Sequence, residues 1–185
     1  MLTGQRRAED QAARGWLAAR AAALARPGTA VGLTAGPLAA VLAGQLAVVP
    51  GLTVVTNCHA AATVLSRRGR TDQSMVLLGG TQTRAGAYTG ALTVAAAKLV
   101  SLDLLYLGVT GMTAQAGYTV DDLVEAQTSR ALLARARRVV VAADHLVWGR
   151  AGVATVIPLA APHILVTDVT ATALRDAAVG AILVP

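Results

Sequence analysis

Forty consecutive residues, 27–66, contain no Asp, Glu, Lys or Arg. By charge alone this stretch is long enough to cross a membrane. However, it is divided by three pairs that interrupt regular structure: Pro27-Gly28, Gly36-Pro37 and Pro50-Gly51. Because the pieces between these pairs are too short to span a bilayer, the stretch predicts a buried strand, a helix and a second buried strand, with no membrane partner.

Short apolar runs continue to alternate with helical segments along the rest of the chain. A leading helix is predicted at 5–25, ended by Pro27-Gly28. The predicted strands are 29–34, 52–57, 74–78, 102–109, 139–143, 153–157, 164–168 and 181–184. The later helices are predicted at 37–47, 58–67, 91–100, 121–137 and 171–178, with a polar connection at 81–90 and a loop at 111–119. This alternation predicts an α/β fold with a mostly parallel sheet and helices on both faces.

The composition fits a single compact domain. The chain has 185 residues, of which 55% are hydrophobic and 3% aromatic, with no Phe. A core built from Ala, Val and Leu favours close approach of helices and sheet. Cys58 is the single cysteine, so no disulfide can form within the chain, which fits a reducing cytoplasm.

The charge is positive but scattered. The net charge is +6, and the basic residues are fifteen Arg and one Lys, Lys98. Their spacing suggests solvated faces and helix ends, while a patch that follows a phosphate backbone remains the alternative. No zinc-finger, basic-zipper or RNA-recognition motif is present, and no aromatic residues interleave the arginines.

Candidate site residues follow the predicted strands, because ligands of parallel α/β sheets bind outside the carboxyl ends of the strands. These residues are Thr34, Gly36, Asn57, Gly79, Gly80, Thr110, Gly111 and Asp144. Each also has an ordinary structural interpretation. The loop at Thr34 and Gly36 could meet a phosphate or be a plain turn. Asn57 could bind a sugar hydroxyl or cap the next helix. Gly79-Gly80 could approach a ligand or form a turn.

Two acidic residues are candidates for acid–base chemistry. Glu125 lies in the predicted helix 121–137 and Asp144 follows a strand, so both could face one crevice. A helix cap, or a pairing of Glu125 with Arg130, is an equal alternative. The three histidines show no spacing typical of metal ligands, and we expect neither a metal nor a cofactor.

Several segments in sequence order resemble the C-terminal effector (sensor) domain of the DeoR family of bacterial transcriptional regulators. They are LTVVTN (52–57), VLLGG (76–80) with Gly86 and Gly90, LDLLYLGVTG (102–111) with Gly117-Tyr118-Thr119, Glu125-Ala126 with Arg130, RVVVAAD (138–144) and ILVTD (164–168). Their order and spacing cover about residues 5–185. The resemblance implies a three-layer fold like ribose-5-phosphate isomerase, with a sugar phosphate bound at the carboxyl ends of the strands. In this interpretation Arg84 is the candidate phosphate partner.

The chain departs from the family at three polar positions. Where the family has Asp-Ala-Gly followed by Ser or Thr, this chain has Thr34-Ala35-Gly36-Pro37-Leu38. Its GVDG-like segment, 108–111, has Thr110 in place of Asp, and its Asp-Ser-Ser-Lys-like segment, 144–147, ends in Val147 in place of Lys. The scaffold is therefore expected to be better preserved than the ligand contacts.

The expected function is ligand sensing and self-association within a regulator of sugar metabolism, without catalysis. We expect 1–26 to be a linker helix that packs on an effector domain at 27–185. The partners are a small phosphorylated effector, copies of the same chain, and DNA only through a helix-turn-helix that this chain lacks. The alternatives are a sugar-phosphate isomerase, with Glu125 or Asp144 as base, and a degenerate domain kept for self-association.

Overall fold

The computed structural model describes residues 2–169 and 181–183, so the helix predicted at 171–178 lies outside the described residues. Within them, the helices are α1 (Leu2–Ala22), α2 (Ala39–Leu46), α3 (His59–Arg68), α4 (Ala91–Ala97) and α5 (Leu123–Leu133). The strands are β1 (Ala30–Leu33), β2 (Thr53–Thr56), β3 (Ser74–Leu77), β4 (Thr81–Gln82), β5 (Tyr88–Thr89), β6 (Leu104–Leu107), β7 (Gly111–Thr113), β8 (Gly117–Val120), β9 (Val139–Ala143), β10 (Ala154–Ile157), β11 (Ile164–Thr167) and β12 (Ala181–Leu183).

Seven of the described strands form one sheet in the order β12-β11-β9-β6-β1-β2-β3. Every neighbouring pair in this sheet runs parallel. The carboxyl ends of β1, β2, β6, β9 and β11 therefore meet at one edge, which we call the carboxyl edge, and their starts meet at the opposite amino edge. Two small antiparallel sheets, β10-β8-β7 and β4-β5, complete the described strands.

Helices cover both faces of the large sheet, which confirms the predicted three-layer α/β fold. One face packs against α1, α2 and α3. The other packs against α4, α5 and the β10-β8-β7 sheet. Strand β6 shows why the sequence is apolar throughout: Leu104 and Tyr106 enter the first layer of core, whereas Leu105 and Leu107 enter the second.

Helix α1 packs directly on this core. Its residues Leu17, Ala18, Ala21 and Ala22 are buried, and small alanines let the backbone come close to the sheet. The hydroxyl of Tyr106 donates a hydrogen bond of 3.0 Å to the carbonyl of Ala21. The division into a linker helix and an effector domain stays a prediction.

Two segments differ from the sequence prediction. Residues 111–119, predicted as a loop, form β7 and the start of β8, and 81–90 contains the β4-β5 hairpin. Both hairpins are short and rich in Gly and Thr, so they lack the apolar run by which the parallel strands are recognised. Gly117 has a φ of +71°, which permits the tight turn into β8. Strand β10 occurs as predicted, but it pairs with β8 in the small sheet.

Helix α5 is shorter than predicted. Asp122 caps its start by accepting hydrogen bonds from the backbone N–H groups of Val124 and Glu125. It ends before 137 because Ala136 forms a β-bridge with Leu102, which leads the chain into β9. Among the described helices, none has the length and hydropathy needed to cross a bilayer.

Candidate functional site

The loops that follow β1 and β6 touch at the carboxyl edge. The hydroxyl of Thr34 accepts a hydrogen bond of 2.7 Å from the N–H of Gly108. A Cβ atom added to Gly36 would lie 2.8 Å from the Cα of Gly108, and one added to Gly108 would lie 2.1 Å from the carbonyl oxygen of Ala35. Thr34 and Gly36, two predicted site residues, thus hold these loops together at backbone contact distance.

Asn57, at the end of β2, is fully buried and uses both ends of its amide inside the protein. Its Oδ1 accepts a hydrogen bond of 3.0 Å from the N–H of Ala35, and its Nδ2 donates one of 3.0 Å to the carbonyl of Tyr88. The capping role considered for Asn57 is wrong, because Cys58 occupies the N-cap position of α3. Asn57 instead joins the loop after β1 to strand β5.

Gly79 and Gly80 lie between β3 and β4, and their environments differ. Thr93 donates a hydrogen bond of 2.6 Å to the carbonyl of Gly79, which has open space where a Cβ would be. Gly80 has a φ of +139°, and a Cβ there would lie 2.1 Å from Oγ1 of Thr93. Of these two residues, only Gly80 is therefore required to be glycine.

Arg84 is exposed in the turn between β4 and β5, and none of the described residues bonds its side chain.

Asp144 follows β9 and is bound by the first helix. The Nε of Arg14 donates a hydrogen bond of 2.9 Å to its Oδ2, and the N–H of Leu146 donates one of 3.2 Å to its Oδ1. The Asp144 side chain is only 4% exposed. The predicted ligand carboxylate is thus already occupied by a cation from α1.

Thr110 and Gly111 lie where β6 leads into β7. The N–H of Thr110 donates to the carbonyl of Thr119. The buried Oγ1 of Thr110, however, has no hydrogen-bond partner among the described residues. A Cβ on Gly111 would lie 2.4 Å from the carbonyl oxygen of Arg150, so glycine is needed there for packing. Thr110 is therefore a candidate with an unused polar atom that is buried.

Glu125 and Arg130 do not pair with each other. Arg130 donates to the carbonyl of Thr155, whereas the carboxylate of Glu125 bonds to none of the described residues. Burial raises the pKa of Glu125 above its usual range, with smaller contributions from the charges of Asp122 and Asp121.

Asp168 is a functional candidate that the sequence interpretation missed. It follows β11 as Asp144 follows β9, and this shared position was the available signal. Its Oδ2 lies 2.8 Å from Nδ1 of His145, and its buried Oδ1 has no hydrogen-bond partner among the described residues. Because β11, β9 and β6 are adjacent in the sheet, Asp168, Asp144 and Thr110 follow three neighbouring strands at the same edge.

Apolar side chains nearly fill the crevice at this edge. In the part of the chain that the structure describes, cavities of about 20 and about 10 Å³ lie here. Both are lined by Pro37, Leu38 and Val109, and the smaller also by Val147 and Asp144. Ligand pockets typically measure ~300–1,000 Å³. Pro37, Leu38 and Val147 come from two of the three segments that depart from the family, and they close the space that a ligand would need.

No group of three or more His, Cys, Asp or Glu side chains lies close enough to hold a metal ion in the described part of the chain. Arg14, Asp144, Thr110 and Asp168 place hydrogen-bonding and ion-pairing groups at the carboxyl edge.

Comparison with known proteins gives a family and a fold. A model of the DeoR C-terminal sensor domain matches residues 9–169. No curated protein matches the sequence.

Two solved structures have a similar fold. Ribose 5-phosphate isomerase A from Methanocaldococcus jannaschii has a TM-score of 0.54 at 14% identity, over 75% of this chain and 55% of that one. Ribose 5-phosphate isomerase A from Neisseria gonorrhoeae has a TM-score of 0.53 at 12% identity, over 73% of this chain and 52% of that one. The match thus spans about half the length of these enzymes.

Proposed function

The chain belongs to the family of DeoR C-terminal sensor domains, and we propose that it senses a small phosphorylated sugar or related metabolite at the carboxyl edge. In this proposal the sensor also self-associates and controls an attached DNA-binding head through helix α1. The contact between Arg14 and Asp144 is the observation that carries the proposal, because it joins α1 to the candidate ligand site.

The position of Arg14 in α1 supports a role in coupling. The helix continues from Arg14 back to Leu2, about 18 Å at 1.5 Å per residue. After Arg14, the C-terminal half of α1 packs on the core through Leu17, Ala18 and Ala21. Release of Arg14 from Asp144 would therefore free the N-terminal half of the helix from the carboxyl edge while the C-terminal half stays packed.

The chemistry of the pair suits a sugar phosphate. A sugar hydroxyl can donate to the carboxylate of Asp144, and a phosphate can accept from the guanidinium of Arg14. A ligand with both groups would replace the ion pair by two contacts of its own. The unpartnered Oγ1 of Thr110 and Oδ1 of Asp168 offer two further bonds at the same edge.

Binding requires the crevice to open, since the present cavities are far smaller than a sugar phosphate. A ligand would thus select a conformation in which α1 or the loop at Pro37 has moved. The affinity would be lowered by the free energy of that opening.

The test is titration calorimetry of the chain with a panel of pentose, hexose and triose phosphates up to millimolar concentration. We expect at least one to bind, and D144N to weaken it by about tenfold or more. The matched control is D121N, which removes an exposed carboxylate paired with Arg150. Absence of heat for every sugar phosphate, with protein shown to be folded, would refute sensing of this ligand class.

The filled crevice favours a second candidate function, a domain retained for self-association without a ligand. Under this alternative, V147A would enlarge the crevice but still bind none of the panel, while light scattering would show a stable oligomer. Sugar-phosphate binding by V147A or by the parent chain would exclude it.

We propose that the domain has no isomerase activity. The similarity to isomerases is at the level of fold, which does not by itself imply function, and Val147 stands where a lysine would hold an enediolate. Turnover of ribose 5-phosphate that is abolished by E125Q or D144N would overturn this part of the proposal.

A further inference from the structure

A second cleft lies at the amino edge of the sheet, opposite the carboxyl edge. It has a volume of about 240 Å³ and is lined by Arg26, Arg137, Arg138, Asp103 and Thr29, with Leu24 and Leu104. These residues precede or begin the adjacent strands β1, β6 and β9. Each of the three strands has four or five residues, so the cleft is about 13 Å or more from the candidate effector site.

The charges in this cleft are unbalanced. None of the described residues accepts a hydrogen bond from the side chains of Arg26, Arg137 or Arg138, and none forms an ion pair with them. The nearby carboxylate, Asp103, accepts a hydrogen bond of 3.0 Å from the N–H of Ala30 through its Oδ2. Three guanidinium groups therefore line the cleft with one carboxylate, which is itself bound to the backbone.

Three other arginines of the chain show a different arrangement. Arg14, Arg70 and Arg150 each bind a carboxylate, namely that of Asp144, Asp72 and Asp121 respectively. Arg26, Arg137 and Arg138 differ from these three arginines because they line a cleft and have no carboxylate partner among the described residues.

The backbone at these arginines is fixed. The N–H of Arg137 donates to the carbonyl of Leu102, and the carbonyl of Arg138 accepts from Leu105. The carbonyl of Arg26 accepts a hydrogen bond of 2.7 Å from the hydroxyl of Thr29. Because their backbones are held in place, the guanidinium groups lose less freedom when they bind a ligand.

A shallower recess of about 450 Å³ adjoins the cleft and shares Asp103 and Arg137 with it. Arg135 lies in this recess, with its Nε donating a hydrogen bond of 2.8 Å to the carbonyl of Val100. The two spaces together can hold a ligand larger than a single phosphate group.

We propose that the amino-edge cleft is an anion site for a small phosphate-bearing metabolite, separate from the carboxyl edge. The planar guanidinium group donates two parallel hydrogen bonds to phosphate oxygens, and three such groups match a ligand with at least two negative charges. Leu24 and Arg26 follow α1 directly, so an anion here would contact the chain just beyond the end of the helix that carries Arg14.

The experiment is titration calorimetry with inorganic pyrophosphate on the full chain and on the variant R137Q/R138Q. We expect the parent to bind and the variant to bind at least about tenfold more weakly, since hydrogen bonds between charged groups are the strong ones. R26Q, which changes a residue outside the regular elements, should weaken binding in the same direction and guards against misfolding of the double variant.

The matched control is R67Q/R68Q. It removes two arginines from the last turn of α3, equal in charge but outside the cleft, and we expect it to bind pyrophosphate within about twofold of the parent. Equal weakening in both double variants would show attraction to net charge alone and overturn the proposal. Absence of binding to the parent at millimolar pyrophosphate would overturn it too, as would loss of pyrophosphate binding in D144N, which changes the carboxyl edge and not the cleft.

Duplex DNA of arbitrary sequence provides a further comparison. Failure of a large excess of DNA to compete with pyrophosphate supports a small-molecule site. Tight binding of DNA, lost in R137Q/R138Q, together with no binding of pyrophosphate, would refute the proposed ligand class.

Discussion

The Nε of Arg14 donates a hydrogen bond of 2.9 Å to Oδ2 of Asp144, although 130 positions separate the two residues in the chain. The Asp144 side chain is 4% exposed and that of Arg14 is 35% exposed. The pair therefore lies at the boundary of the core, where a charge without its partner is costly. It connects the start of the chain with the end of a central strand.

Replacing Arg14 by Gln should lower the stability of the fold. The buried Asp144 carboxylate would keep the N–H of Leu146 as a partner but lose its cation. We expect a loss of about 2 kcal/mol, or a Tm lower by about 4–8 °C for a chain of this size. Thermal unfolding followed by circular dichroism measures it.

The matched control for that variant is R150Q. The side chains of Arg150 and Asp121 are 60% and 50% exposed, with a distance of 3.2 Å between Nη2 and Oδ2. Exposed pairs contribute little, so we expect a change within about 0.5 kcal/mol. If R14Q were as mild as R150Q, the ion pair would contribute no more than a surface contact.

Replacing Asn57 by Ala should also destabilise the protein strongly. The N–H of Ala35 and the carbonyl of Tyr88 would both lose their buried partner. We expect a loss of about 2–4 kcal/mol, measured by chemical denaturation. Q127A, at an exposed position of α5, should stay within about 0.5 kcal/mol. A similarly small effect of N57A would mean that water replaces both contacts.

The central strands of the parallel sheet could be predicted because they are buried on both faces. β1, β6 and β9 are continuous apolar runs between turns or helices, a pattern that local sequence reveals. The hairpins β4-β5 and β7-β8 could not, since their strands are two to four residues long and are stabilised by neighbours distant in sequence. Tertiary contacts decided their structure.

The strand-end positions of the candidate residues could be predicted, but their hydrogen-bond partners could not. Parallel topology places Thr34, Asn57, Thr110 and Asp144 at the ends of their strands, as expected. The sequence does not show that the side chain of Asn57 bonds to the backbone or that Arg14 binds Asp144. Both contacts depend on how α1 and the loop after β1 pack in three dimensions.

Gly36 and Gly79 should respond differently to replacement by Ala, because only Gly36 is in close contact with another backbone segment. G36A would place a Cβ 2.8 Å from the Cα of Gly108, a backbone atom that cannot rotate away. We expect a loss of about 3 kcal/mol. G79A should be neutral or slightly stabilising, because open space surrounds the added methyl group. Equal unfolding midpoints in urea for the two variants would contradict this difference.

The raised pKa of Glu125 predicts a pH dependence of stability. Between the pKa of Glu125 in the unfolded chain and its higher value in the folded one, the folded state holds a proton that the unfolded chain has released. Stability therefore falls as pH rises through this window, and at neutral pH the buried charge is a cost. We expect E125Q to be more stable than the parent at neutral pH, with the difference shrinking below the usual pKa of Glu.

D72N provides a comparison of opposite sign. A hydrogen bond from Arg70 lowers the pKa of the exposed Asp72, so this carboxylate contributes stability that is present above its usual pKa and is lost as pH falls through the lowered value. D72N should be slightly less stable than the parent at neutral pH and equal to it in acid. Thermal unfolding from strongly acidic to neutral pH measures both variants. If E125Q were less stable than the parent at neutral pH, the Glu125 carboxylate would be making a stabilising contact that outweighs the cost of its burial.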